Sequence, residues 1–176
     1  MPMLLLLLRH AKSAHPPNVD DFDRPLNEEG KQAARLIGSF IRKHAFDPVL
    51  VLCSTARRTQ ETLEYLLKAM DHQPQVRHDA GLYLAEVGKL LQIIHAQSSV
   101  SPLMIVGHNP GVHELGVSFL ADKSTGEANR FLHKFPTAAF AVFDFDINSW
   151  SELNPGTGRL LRYVRPKELV TSQDGT

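Results

Sequence analysis

Residues 4–8 are five consecutive leucines, and they run straight into Arg9-His10. No other stretch limits the fold as tightly. A short apolar run set against a guanidinium and an imidazole suits a strand buried on both faces, as in a parallel sheet covered by helices on either side. A secretory leader would need an apolar core of about 7–15 residues behind a basic start. Here the run from Met3 to Leu8 has six residues, no basic residue precedes it, and Arg9 closes it. In open α/β sheets, ligands settle in the crevice outside the carboxyl ends of the strands. Arg9 and His10 therefore stand where a ligand would. Leucine is not a favoured strand residue, so burial has to override local propensity in this run.

The same alternation continues along the chain. Asn27 before Glu28 and Glu29 reads as an N-cap with an acidic first turn. Ala33, Ala34, Ile37, Phe40 and Ile41 keep helical spacing, and Asp47-Pro48 is the expected stop. Residues 49–53 (VLVLC) form a second buried strand, and Ser54 is expected to cap a helix whose inward stripe is Leu63, Leu66, Leu67 and Met70. A loop follows, then a shorter helix over residues 87–96. Residues 103–106 (LMIV) make a third strand ending at Gly107-His108-Asn109-Pro110, and Pro110 suits the first turn of a helix reaching Leu120. Residues 122–136 read as polar and loop-like, and late strands over 138–144 and 159–164 flank a turn at Asn154-Pro155-Gly156. The predicted fold class is α/β: a single-domain three-layer sandwich over residues 1–166, with a mostly parallel central sheet, helices on both faces and an antiparallel edge strand. Residues 167–176 are expected to fray.

Composition narrows the function. The chain has 176 residues, 43% of them hydrophobic, with 19 basic residues against 19 acidic. That argues against a disordered chain and against a polycationic nucleic-acid binder. No apolar segment approaches the ~20 residues of a membrane span. One cysteine, Cys53, provides neither an internal disulfide nor a cysteine zinc cluster, and a reducing cytoplasm is the expected compartment.

Three strand ends carry Arg9-His10, Ser54 to Arg58, and His108, and in such a sheet these ends can share one pocket. Arginines bind phosphate oxygens bidentately and stay charged. A neutral imidazole is a competent phosphoryl acceptor near pH 7, and covalent capture splits a hard hydrolysis into two easier steps. With those residues in view, the stretches LLLRHAKS, RPLNEEGKQAA, STARRTQET and IVGHNPG together resemble the histidine phosphatase superfamily, the phosphoglycerate mutase-like family. Ala11 replaces the glycine usual in the family's RHG signature. The form RHAKS, the short chain and the DRPL element are most similar to the SixA-type phosphohistidine phosphatase branch.

The resemblance implies a phosphoglycerate mutase-like fold and a role for each matching position. His10 would be the phosphorylated nucleophile, and Arg9 would bind phosphoryl oxygens. Ser54, Arg58 and Thr62 match the family's spacing around its second arginine, so Arg58 takes that place. Arg57, about 100° further round the helix, should face elsewhere. His108 would donate to the phosphoryl group as charge gathers in the transition state. Ser13 matches a substrate-binding hydroxyl, and Asn109 either contacts substrate or caps its loop. Larger members carry a leaving-group acid on an insert that this chain lacks. Glu86 is the best-placed candidate proton donor; Asp20, Asp21 and Asp23 read as a solvated loop. An imidazole, whose conjugate acid has a pKa of ~6.5, leaves more easily than an alcohol without such a donor. The resemblance thus favours phosphohistidine on a protein as substrate, with a small phosphomonoester as the other partner class. No cofactor or metal is expected, composition and hydropathy speak against nucleic acid and membrane, and neutral charge and short length suit a monomer.

Rival readings have discriminators. A cysteine phosphatase needs an arginine six residues after the cysteine, and that position is Thr59. Two-histidine phosphodiesterases use His-x-Ser/Thr pairs, whereas this chain has His10-Ala11-Lys12 and His108-Asn109-Pro110. His108 and His113 lack the helical spacing of metal ligands. A broad phosphomonoesterase and a non-catalytic phosphate-binding module stay open as alternatives.

Overall fold

In the computed structural model, which describes residues 2–173, six strands form one sheet. β1 (Met3–Arg9), β2 (Leu50–Ser54), β3 (Gln75–Asp79) and β4 (Leu103–Gly107) run parallel. β5 (Phe140–Phe145) lies antiparallel to β1, and β6 (Arg159–Val164) antiparallel to β5. The order across the sheet is β3-β2-β4-β1-β5-β6, so the leucine strand sits in the interior.

Successive strand residues point to opposite faces. Leu5 and Leu7 enter one apolar layer, Leu6 and Leu8 the other, and all four are 0% exposed. The first layer is covered by α3 (Val87–His95), α4 (Gly111–Phe119) and α5 (Gly126–His133), through Leu90, Ile94, Leu115, Phe119 and Phe131. The second is covered by α1 (Glu28–Lys43) and α2 (Arg57–Leu67), through Ile37, Ile41, Leu63 and Leu66, and α6 (Pro166–Gln173) packs on α1. Burying a leucine side chain contributes roughly 1.5–3 kcal/mol, while the whole strand-propensity scale spans only ~1 kcal/mol. Burial decides the conformation. The three-layer sandwich expected from the sequence is the fold observed. Among the described residues no helix is long and apolar enough to cross a membrane.

Several local expectations need correction. Asn27 caps α1, accepting from Gly30 N at 2.8 Å, but the helix stops at Lys43, before Asp47-Pro48. Ser54 does not cap α2. It ends β2, and the helix begins at Arg57 behind Ala56, with no side-chain cap. The stretch 71–86, expected as a loop, holds β3, an edge strand paired with β2 that shows mostly polar, exposed side chains. Residues 122–136 hold α5, capped by Thr125 and anchored by Ala128 and Phe131. The connection between β5 and β6 is longer than a turn: it includes a 3₁₀ turn, Trp150–Glu152, that buries Trp150, before Gly156 at φ +74. The segment expected to fray is helical through Gln173, and residues 174–176 lie outside the described residues.

Candidate active site

The backbone fixes His10 before any side chain acts. Its N–H donates to Gly107 O at the end of β4 (3.0 Å), and its carbonyl accepts from Ala138 N (3.0 Å). Its ring Nδ1 lies 2.7 Å from Ala11 O. A carbonyl only accepts, so Nδ1 carries the hydrogen and Nε2 keeps its lone pair. Burial holds the imidazole at a pKa of about 4, with the positive charges of Arg58, Arg9 and Arg24 adding to the effect against the Ala11 bond. At neutral pH His10 is an uncharged base with a defined tautomer.

Buried hydroxyls of the STARRTQET stretch tie α2 to the strand ends. Thr59 Oγ1 donates to Ser54 O (2.8 Å), and Thr62 Oγ1 donates to Arg58 O (2.6 Å) while accepting from Ala11 N (2.9 Å). Arg58 is 3% exposed. Its Nη1 donates to Asp21 O (2.6 Å), and its Nη2 to Asp21 Oδ2 (3.0 Å) and His108 Nδ1 (3.3 Å). Arg57, one position earlier, is exposed and paired with Glu61 at 2.9 Å, as the helical geometry predicts.

His108 is 2% exposed, its ring centroid 5.5 Å from that of His10. Guanidinium only donates, so His108 Nδ1 accepts from Arg58 and the ring hydrogen sits on Nε2, which donates to Ser54 Oγ at 2.8 Å. Burial, then Arg58 and His10, lower its pKa to about 3. The neutral ring therefore has no N–H to spare for a phosphoryl oxygen.

Arg9 Nη1 donates to Phe135 O (3.3 Å), as does Asn109 Nδ2 (2.7 Å), so Asn109 braces the loop that also holds Arg9. Burial and the charge of Arg58 lower the Arg9 pKa. Arg9 Nε and Arg58 Nε are both buried without a hydrogen-bond partner. Ser13 Oγ accepts from Arg24 Nη2. Arg9, His10, Ser13, Arg24, Arg58, His108 and Asn109 line one cleft of about 660 Å³, together with Lys12, His15, Leu84 and Thr137. Among the described residues no carboxylate lines it.

Glu86 is not brought to this cleft. It is an exposed residue at the N-terminus of α3, lining a separate hollow beside Pro110 and Glu114. The loop over residues 20–23 is exposed, as expected, and it also reaches the site through one side chain. Asp21 holds Arg58, takes Arg24 Nη1 at 2.9 Å and accepts from the Tyr83 hydroxyl. That hydroxyl first, then Arg58 and Arg24, bring the Asp21 carboxyl down to about 2, so it is ionised and holds no proton to give. Tyr83 also sets its ring edge-on to His108, 5.4 Å between centroids. The DRPL element was the available signal for Asp23-Arg24; nothing local pointed to Tyr83. Burial pushes the Cys53 thiol up to about 12, which removes it as a nucleophile.

Residues 5–98 match the histidine phosphatase superfamily (branch 1). The chain belongs to that family. An uncharacterized protein of Mycobacterium tuberculosis is 33% identical over 163 residues, covering 91% of this chain and 100% of the relative. Among solved structures, a protein of Nakamurella multipartitia provisionally assigned as the phosphohistidine phosphatase SixA superposes with a TM-score of 0.83 at 29% identity, over 94% of this chain and 97% of that one. Its counterpart from Agrobacterium tumefaciens gives 0.79 at 30% identity, over 94% and 99%. The SixA-like branch of histidine phosphatases is thus where the sequence and the fold both place the chain, and a phosphatase is what the family supports.

Proposed function

We propose that the protein removes the phosphoryl group from phosphohistidine on a protein, through a phosphohistidine intermediate on His10. The observation that carries this reading is the neutral His10, its Nδ1–H anchored to Ala11 O, in a cation-lined cleft that no carboxylate lines among the described residues, ionised Asp21 lying behind Arg58. Nε2 of His10 attacks phosphorus as the substrate's P–N bond breaks. The departing imidazole nitrogen needs only a proton from water, whereas an alkoxide would need a strong acid held in place. Arg9 and Arg58 bind the phosphoryl oxygens, and their unpartnered Nε–H groups are donors an oxygen would satisfy. The arriving dianion draws Arg58 toward itself and favours uptake of a proton from solvent at His108 Nδ1, which then donates to the phosphoryl group. Water next attacks the phosphoenzyme, releasing phosphate and regenerating His10. Ser13, fixed by Arg24, borders the bound phosphoryl group. The partner is a phosphorylated protein met in a reducing compartment, the cytoplasm, where Cys53 stays a thiol.

Rapid-quench mixing with a labelled phosphohistidine protein tests this. Wild type is expected to show a transient phosphoenzyme, labile in acid and stable in base, that His10→Ala does not form. Faster turnover of an alkyl phosphate ester than of phosphohistidine, or full activity in His10→Ala, would overturn the proposal.

A further inference from the structure

The cleft does not end at the residues around His10. Lys12 and Thr137 line it and also line a second hollow of about 190 Å³, whose other walls include Lys134, Arg165, Lys167 and Glu29. Sharing these two walls, the hollows lie side by side and together outline a groove whose far wall is the start of α6. Four cations face one acid there, in a chain whose formal net charge is zero. Lys12 lies 2.8 Å from Glu29 and Arg165 lies 3.1 Å from Glu168, so part of this charge is already answered within the chain. Lys134 is exposed, and Arg165 Nε is buried without a hydrogen-bond partner.

Size and layout indicate the occupant. Independent small-molecule sites occupy ~300–1,000 Å³, so a hollow of 190 Å³ takes one or two side chains of something already held at His10. Its cations come from separate elements: the loop after β1, the end of α5, and the junction of β6 with α6. Spaced along a path, they suit an extended chain better than a second compact phosphate. We propose that this groove receives acidic side chains flanking the phosphohistidine of the protein substrate, and so selects acidic phosphohistidine segments. The proposal rests on the phosphohistidine reading of the cleft. Charge complementarity of this kind sets partner choice and encounter rate, and it weakens as salt rises.

The test compares two peptides of equal length, each with one non-hydrolysable phosphohistidine analogue, flanked by Asp and Glu in one and by Asn and Gln in the other. Binding to the full chain is read by fluorescence anisotropy. Wild type is expected to bind the acidic peptide about tenfold more tightly at low salt, and Lys134→Gln/Arg165→Gln to reduce that preference to about twofold, as several exposed pairs acting together allow. Lys134→Glu changes only an exposed side chain, leaves the Arg165 contacts in place, and should also cut the preference. Equal binding of both peptides by wild type overturns the proposal, as does a preference that these variants leave intact. So does a response confined to small bisphosphates. Turnover of free phosphohistidine is measured in parallel. If it is absent while the peptide preference holds, the phosphatase reading falls and the groove stands; if turnover is normal without preference, the groove falls alone.

Discussion

Thr62 links the nucleophile's loop to the arginine's helix through one hydroxyl, which accepts from Ala11 N and donates to Arg58 O at a fully buried point. Thr62→Val keeps the shape and leaves the Ala11 N–H unpaired. An unsatisfied buried group costs about 1–3 kcal/mol, and kcat should fall with it as Ala11 and Arg58 lose their common anchor. Thr62→Ser should restore both. Urea unfolding with steady-state kinetics on the pair checks this, and an undisturbed Val variant would contradict it. At this scale the sequence was legible where chemistry sat on strand ends: Arg9, His10, Arg58 and His108 all line the cleft. It was illegible where partners meet across long separations. Asp21 reaches Arg58 from 37 residues away and Tyr83 from 62, and no local pattern encodes either meeting. Glu86 was misplaced for the same reason, because helix position says nothing about which cleft a helix end faces.

Elements press on the site as well as carrying it. A Cβ built on Gly30, in the first turn of α1, would lie 2.1 Å from Lys12 O. The backbone of the loop after β1 and that of the helix touch at a point only glycine allows. Gly30→Ala should therefore destabilise the fold by roughly 1–3 kcal/mol, the usual cost of overpacking. It should also raise KM for phosphorylated substrates, because Lys12 lines the cleft two residues from His10. Thermal unfolding and initial-rate kinetics would show both, and an unchanged KM would mean the loop yields without moving the cleft. Long periodic elements such as α1 were readable because their apolar stripe is wide. By contrast, α5 buries only Ala128 and Phe131, and β3 owes its conformation to backbone pairing with β2 rather than to side chains. Neither leaves a hydrophobic signature strong enough to read.

For the molecule as a whole, the two histidines make stability depend on pH. An unfolded histidine titrates near 6.5, whereas His10 and His108 do so at about 4 and about 3 when folded. Between these values the unfolded chain binds more protons, so stability is full above pH 6.5 and declines as pH falls toward 3. His10 alone represents on the order of 3 kcal/mol over that window. Urea unfolding at pH 7 and pH 4.5 should show a marked loss in wild type and a flatter profile in His10→Asn/His108→Asn; equal slopes would contradict it. Asp21 works lower down, its contribution present above its ordinary value and lost as pH drops through about 2. The leucine strand has a consequence of another kind. Its amides sit in the sheet interior between β4 and β5, so they trade hydrogen for deuterium only when the entire sheet opens, while β3 and α6 at the margins can open alone. Warming loosens the rim first. Edges that open and close in this way are expected to leave His10, tethered to Gly107 at the end of β4, in its place.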